Sequence, residues 1–230
     1  MEEKSLRFER TDRYFVLTGK MLLLIGLLAM TACSASRQPK PDSDGWISLF
    51  DGKTLDGWTA PESPESFRVE DDVILAQGPK SHLYYTGPVM KHDFKNFEFL
   101  VDVKTEPGAN SGVYFHTKLQ EKGYPDDGFE VQVNNSSGDW KRTGSLYDIV
   151  DFGDNYVKDN EWFTMYIKVV DKNVLVKLND RTVLEWDQPD GFTVTKAHPG
   201  RIISSGTFAF QEHDARSVIR FRNIKVRPLP

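Results

Sequence analysis

From Gly45 onward the apolar residues of this chain recur at every second position, and that period decides what it can fold into. Side chains on an extended strand point to opposite faces in turn, so alternation sends one set to a core and the other outward. A helix would instead need apolar residues three and four apart. In "NFEFLVDVKTE", Phe97, Phe99, Val101 and Val103 alternate with Glu98, Leu100, Asp102 and Lys104. "FRVEDDVILAQ" reads as two short strands around Asp71-Asp72. "WFTMYIKVVDKNVLVKLNDRTVLEW" reads as three, broken at Asp171-Lys172-Asn173 and at Asn179-Asp180, residues that tolerate the positive φ of hairpin turns. No stretch has the pattern of an amphipathic helix longer than a turn or two. Many short strands separated by turn signals predict an all-β sandwich of two sheets.

With 230 residues, 39% of them hydrophobic, the chain can build one core of sandwich size, so residues 45–230 are expected to form a single domain. The apolar run from Met21 to Met30 is shorter than the ~20 residues that span a bilayer but matches the hydrophobic region of a signal peptide. Cys33, the only cysteine, follows Met30-Thr31-Ala32, which resembles a bacterial lipobox. Residues 1–32 are therefore expected to be a lipoprotein-type signal peptide. Cys33 would be the lipidated first residue that anchors the protein to a membrane of the cell envelope, facing the periplasm or on the outer membrane, and residues 33–44 a flexible tether. Removing residues 1–32 takes away five basic and four acidic side chains, so the formal charge moves from −5 to −6. No clustered Lys/Arg footprint is present for a nucleic-acid partner.

Four stretches combine an apolar face with an unusual polar one. In "GFEVQVNN", Phe129, Val131 and Val133 alternate with Glu130, Gln132 and Asn134; in "NSGVYFHTK", Val113 and Phe115 alternate with Tyr114 and His116. In "GSLYDIV", Leu146 and Ile149 flank Tyr147, and in "GTFAFQEHD", Phe208 and Phe210 oppose Thr207, Ala209, Gln211 and His213. If these are neighbours in one sheet, the outward face collects Tyr114, His116, Glu130, Gln132, Asn134, Gln211 and His213. Amides, a carboxylate and aromatic rings suit a hydroxyl-rich ligand such as a carbohydrate. Idle strand faces more often carry Lys, Glu and Thr, and Gly112, Gly128, Gly144 and Gly206 permit close backbone approach at the strand starts. His82, His92 and His198 fall in loop-like contexts and are expected to be solvated. There is no phosphate loop, HExxH, CxxC or Gly-x-Ser-x-Gly elbow.

Taken in order, "GWISLFDGKTLDGW", "NSGVYFH", "GFEVQVNN", "TGSLYDIV", "EWFTMYIKVVDKNVLVKLND" and "GTFAFQEHDARSVIRFRNIKVRPL" resemble the bacterial 3-keto-disaccharide hydrolase family, over about Gly45 to Leu229. The resemblance implies a concanavalin-like two-sheet β-sandwich of the jelly-roll type, as in lectins and glucanases, often exported and lipid-anchored. One departure is His116, where many relatives have an Arg after the aromatic of the Asn-Ser-Gly motif. Trp46, Trp58, Phe221 and Ile224 are expected where the first and last strands close the sandwich, with Arg222 and Asn223 satisfying backbone groups there.

The chemistry this implies is an elimination. A ketone at C3 acidifies the C2 proton, a base removes it, the enolate expels the C1 substituent, and water adds to the enone. Glu130 and His213 are the acid/base candidates and His116 a second base, while Asn110, Tyr114, Gln132, Asn134, Tyr147 and Gln211 would bind hydroxyls or the oxyanion. A divalent cation could polarise the ketone. A sugar 3-dehydrogenase would act upstream as a partner in supplying the substrate. Two other readings stay open. A conventional glycosidase needs paired carboxylates, but in "EVQVNN" Gln132 and Asn135 replace the later acids of the glucanase E-x-D-x-x-E strand. A glycan-binding module would use the same amides and tyrosines without a base.

Overall fold

The computed structural model describes residues 39–194 and 199–230. The expected signal segment 1–32, Cys33 and the tether as far as residue 38 lie outside the described residues, as does His198. Among the described residues no helix is long and apolar enough to cross a membrane; the helical pieces are two 3₁₀ turns, Pro64–Ser66 and Val89–His92.

The alternating segments are strands. In chain order they are β1 (Ile47–Ser48), β2 (Trp58–Thr59), β3 (Phe67–Glu70), β4 (Val73–Ala76), β5 (Ser81–Tyr85), β6 (Phe97–Thr105) and β7 (Ser111–Thr117). There follow β8 (Phe129–Val133), β9 (Phe163–Val170), β10 (Asn173–Leu178), β11 (Arg181–Asp187), β12 (Thr207–Glu212) and β13 (Ile219–Pro228). They form two antiparallel sheets. One runs β11-β10-β9-β6-β13-β4-β3, with β1 also paired to β13, and the other runs β2-β5-β12-β7-β8. The expected hairpins form where the sequence placed them: Asp71 and Asp72 have φ of 49° and 62°, and Asn179 and Asp180 have φ of 47° and 65°. Positive φ at both central residues matches the right-handed twist of the flanking strands.

The core lies between the sheets. Phe97, Phe99, Val101 and Val103 of β6 face Phe208 and Phe210 of β12, and all are buried. The Phe99 and Phe208 rings stack at 4.3 Å between centroids, Phe210 and Phe221 at 4.2 Å, and Trp58 lies on Phe210 at 5.1 Å. Burying each such ring is worth ~2–3 kcal/mol, which is why the pattern holds across both sheets. Trp58 closes the sandwich by donating its indole N–H to the Leu49 carbonyl at 2.7 Å. Phe221 and Ile224 are core residues as expected, whereas Trp46 is only half-buried, against the Arg227 guanidinium at 4.9 Å. Arg222 and Asn223 bond to the Asp102 carboxylate rather than to backbone groups, because the outward row of the larger sheet brings that acid beside them.

Candidate active site

The polar faces of β5, β12, β7 and β8 do meet. Register places Tyr84 against Ala209, Ala209 against Tyr114, and Tyr114 against Glu130; the next row sets His82 against Gln211 and Gly112 against Gln132. This face is not a wet surface. Tyr114, Glu130, Gln132 and Gln211 are each at most 5% exposed, because segments 118–127, 136–148 and 199–203 fold over the sheet. What they leave open is a cleft of about 290 Å³ whose walls include Tyr124, Asp139, Tyr147, Asp148, Arg201 and His213. A larger concavity of about 830 Å³ lies at the sheet edge around Leu49, Phe50, Gly87 and Pro88. It carries no buried acid and offers no comparable chemistry.

Glu130 sits at the bottom of the cleft. The Tyr114 hydroxyl donates to its Oε2 at 2.7 Å, and Gln211 Nε2 donates to its Oε1 at 3.2 Å and to the Tyr114 oxygen at 2.8 Å. Burial pushes the Glu130 carboxyl up to about 7, against the opposing pull of the Tyr114 hydroxyl, Arg201, Gln211 and Lys141. Tyr114 stays a phenol: burial first, and then the Glu130 charge, drives its pKa well above the usual value. The carboxyl fits there because position 112 is a glycine. A Cβ at Gly112 would stand 2.2 Å from Glu130 Oε1, a separation no real side chain tolerates.

The walls carry Arg201 together with the acids Asp139 and Asp148. Arg201 is buried, donates to the Tyr147 carbonyl, and reaches Asp148 only at 3.9 Å. Lys141 lies 3.6 Å from the centre of the Tyr147 ring and is bonded to Asp148. Tyr147 itself is held by its backbone N–H on the Glu130 carbonyl at 2.9 Å. Across the mouth, His213 Nδ1 faces Asp214 at 3.2 Å and its Nε2 lies 3.5 Å from the Tyr124 hydroxyl. Gln211 Oε1 is fully buried with no hydrogen-bond partner among the described residues. A buried amide oxygen without a donor is costly.

Of the residues singled out from sequence, Asn110, Tyr114, Glu130, Gln132, Tyr147, Gln211 and His213 line this one cleft. Asn110 is tied to Gln132, whose Nε2 donates to its Oδ1 at 3.2 Å. His116 and Asn134 are elsewhere. His116 breaks the alternation at the far end of β7, where the register with β12 slips and φ is 55°; its ring lies edge-on to Phe97 at 5.6 Å, its Nε2 meets the Lys95 carbonyl at 2.8 Å, and burial holds its pKa down at about 4. Asn134 is buried as a loop organiser, its amide donating to the Asp139 and Lys141 carbonyls at 2.9 and 2.8 Å. His82 is not in a loop: it is on β5, 2% exposed, edge-on to Tyr114 at 5.4 Å, and burial drives it down to about 3. Arg201, the cation among the lining residues, and Lys141, which lies against the Tyr147 ring, were not anticipated. Both belong to irregular segments, where no periodicity marks the direction of a side chain. Among the described residues no three His, Cys, Asp or Glu side chains converge as ligands for a divalent cation. Glu130 and Asp148 are taken up by Tyr114, Gln211 and Lys141.

The comparisons with known proteins fit this geometry. A curated 3-keto-disaccharide hydrolase from Bacteroides thetaiotaomicron is 30% identical over 180 residues, 66% of this chain and 61% of that protein, so the chain spans less than two thirds of its length. A crystal structure from Parabacteroides distasonis, provisionally titled a glycosyl hydrolase, superposes with a TM-score of 0.63 at 27% identity over 80% of this chain and 99% of its own. A second from the same organism gives 0.69 at 24% identity, over 81% of this chain and 95% of its own, a likeness of fold. The family model for the 3-keto-alpha-glucoside-1,2-lyase-like domain matches residues 45–227, nearly the whole sandwich, and the chain belongs to that family.

Proposed function

We propose that the protein cleaves 3-keto-glycosides by elimination followed by addition of water. The observation that carries this reading is Glu130, a buried carboxyl raised to about 7 on the floor of a cleft whose walls include Arg201 and His213. Glu130 takes the C2 proton, and the C2–H electrons move into an enolate whose oxygen is the former C3 ketone. Arg201 lies on the wall where that negative charge would be held. The enolate then re-forms the ketone and expels the C1 oxygen, which takes a proton from His213. Water adds to C1 of the enone, its proton passing to His213 as Glu130 returns a proton to C2. Both residues end as they began, and the net reaction is hydrolysis. Tyr114 and Gln211 keep the carboxylate oriented toward C2 and moderate its basicity.

The test is proton exchange at C2. A 3-keto-disaccharide incubated with the protein in D₂O should acquire deuterium at C2, and Glu130→Gln should abolish both exchange and turnover. The unoxidised parent disaccharide should remain intact. Turnover of the parent would assign the site to conventional glycoside hydrolysis, and binding without exchange would assign it to a sugar-binding module.

The same reading places the protein after an enzyme that oxidises a sugar C3 hydroxyl, since that reaction must supply the ketone. We also propose that it is held at the cell envelope by a lipid on Cys33, a reading supported by the apolar run Met21 to Met30 and the Met30-Thr31-Ala32 that precedes the cysteine. Cys33→Ser should release it from the membrane fraction, and retention there would sink the anchor.

A further inference from the structure

The cleft over Glu130 continues into a second groove. Asn110, Asp139 and His213 line both the inner cleft of about 290 Å³ and an outer groove of about 610 Å³ that extends along the ends of β7, β8 and β12. The two halves differ in character. The inner walls are the buried side chains of Tyr114, Glu130, Gln132 and Gln211, whereas the outer groove runs between the exposed Pro107, Gly108, Ser136, Gly138 and Arg216. At the small end of the ~300–1,000 Å³ typical of ligand sites, the inner cleft has room for one sugar ring rather than two.

We infer that the outer groove is the leaving-group subsite, and that it takes glycosyl leaving groups longer than one sugar; this rests on the elimination reading above. With the keto ring over Glu130, the bond to be broken lies at the junction, and the residues there suit it. His213 has Nδ1 toward Asp214 at 3.2 Å, which orients the ring, and its Nε2 makes only the long 3.5 Å contact to the Tyr124 hydroxyl, which the departing oxygen would replace. Asn110 uses Oδ1 on Gln132 at 3.2 Å, and its Nδ2 makes no hydrogen bond among the described residues, so it can donate to a hydroxyl on either ring. Beyond the junction the groove offers backbone, small side chains, the Asp214 carboxylate and Arg216, whose side chain is 92% exposed with its Nε 3.6 Å from Asp214. Such walls can hold hydroxylated groups without reading their identity. Selectivity would therefore reside in the keto ring, with little discrimination among glycosyl leaving groups.

Gly138 allows the groove to be filled without disturbing the sandwich, since a Cβ there meets nothing within 4 Å. The experiment compares kcat/KM for the 3-keto forms of a methyl glucoside, a disaccharide and a trisaccharide in the wild type, Gly138→Trp and Arg216→Trp, with thermal unfolding as the check on folding. The wild type should prefer the two longer substrates over the methyl glycoside by about tenfold or more, and either filled variant should lose most of that preference. Equal values for methyl and glycosyl substrates in the wild type would overturn the subsite, as would filled, folded variants that keep the wild-type preference. If only the disaccharide gains over methyl, the longer-chain half is wrong. Failure of all three substrates to turn over would instead remove the elimination reading, and the subsite with it.

Discussion

The Tyr114 hydroxyl and the Glu130 carboxylate, paired directly across β7 and β8, form a 2.7 Å hydrogen bond beneath the cleft. The bond opposes the burial that raises the Glu130 carboxyl. A carboxylate stabilised by a donor has a lower pKa than the same burial alone would impose.

This gives a pH prediction with a definite sign. As the proposed base, Glu130 would act only when ionised, so kcat/KM should rise with pH on a limb centred at about 7. Tyr114→Phe removes a donor to the ionised form, and the limb should move to higher pH. Glu130→Gln should lower kcat by ~10²–10⁴-fold while the protein stays folded. A pH–rate profile of the three proteins checks this, and an unmoved limb in Tyr114→Phe would take the base role away from Glu130.

Under the proposed function, Gly112→Ala should abolish activity through Glu130. The added methyl would overlap Oε1 at 2.2 Å, so the carboxylate must move or β7 must separate from β8. Overpacking of this kind costs ~1–3 kcal/mol, and denaturant unfolding beside an activity assay should show both losses. Wild-type activity in Gly112→Ala would mean that the placement of Glu130 is not needed.

Arg201→Met should reduce kcat far more than it raises KM, by ~10²–10³-fold, if the guanidinium stabilises charge that develops only during the reaction. Equal changes in kcat/KM and 1/KM would make Arg201 a binding group.

Glu212 makes a prediction about stability rather than rate. It lies on the inner row of β12, is fully buried, and neither carboxylate oxygen has a partner among the described residues. Burial, and then the nearby Asp214 charge, push it up to about 9. In the unfolded chain it would titrate near ~4.3, so the folded state holds the extra proton between those two values. Stability from this group is complete below the lower value and is lost as pH rises through about 9, by up to ~1.4 kcal/mol per pH unit. Glu130 adds a similar slope up to about 7. Glu212→Gln should flatten the curve between pH 7 and 9, as read by urea unfolding across that range.

The alternation of Phe97 to Val103 and of Phe129 to Val133 was enough to read the strands, the two sheets and which residues share the floor of the site. It could not show that the floor is roofed. Glu130 and Gln132 look the same on paper whether their face meets water or a folded loop, because the covering segments 118–127, 136–148 and 199–203 have no period. The same gap hid Arg201 and Lys141, and it let His116 and Asn134 count as site residues although they lie beyond the cleft's ends. His82 was misread because the flanking Gly78-Pro79 and Gly87-Pro88 make a five-residue strand resemble a loop.

The floor of the cleft and the wall of the core are alternate residues of the same four strands. A one-residue deletion within β8 would exchange Glu130 for a phenylalanine or a valine and send the acid inward, so chemistry and folding would be lost together. The covering segments carry no such constraint. In descendants of this chain, a new substrate preference would arise through loops that lengthen, shorten or change their lining, while the reactive centre passes on intact with the sheet that encodes it.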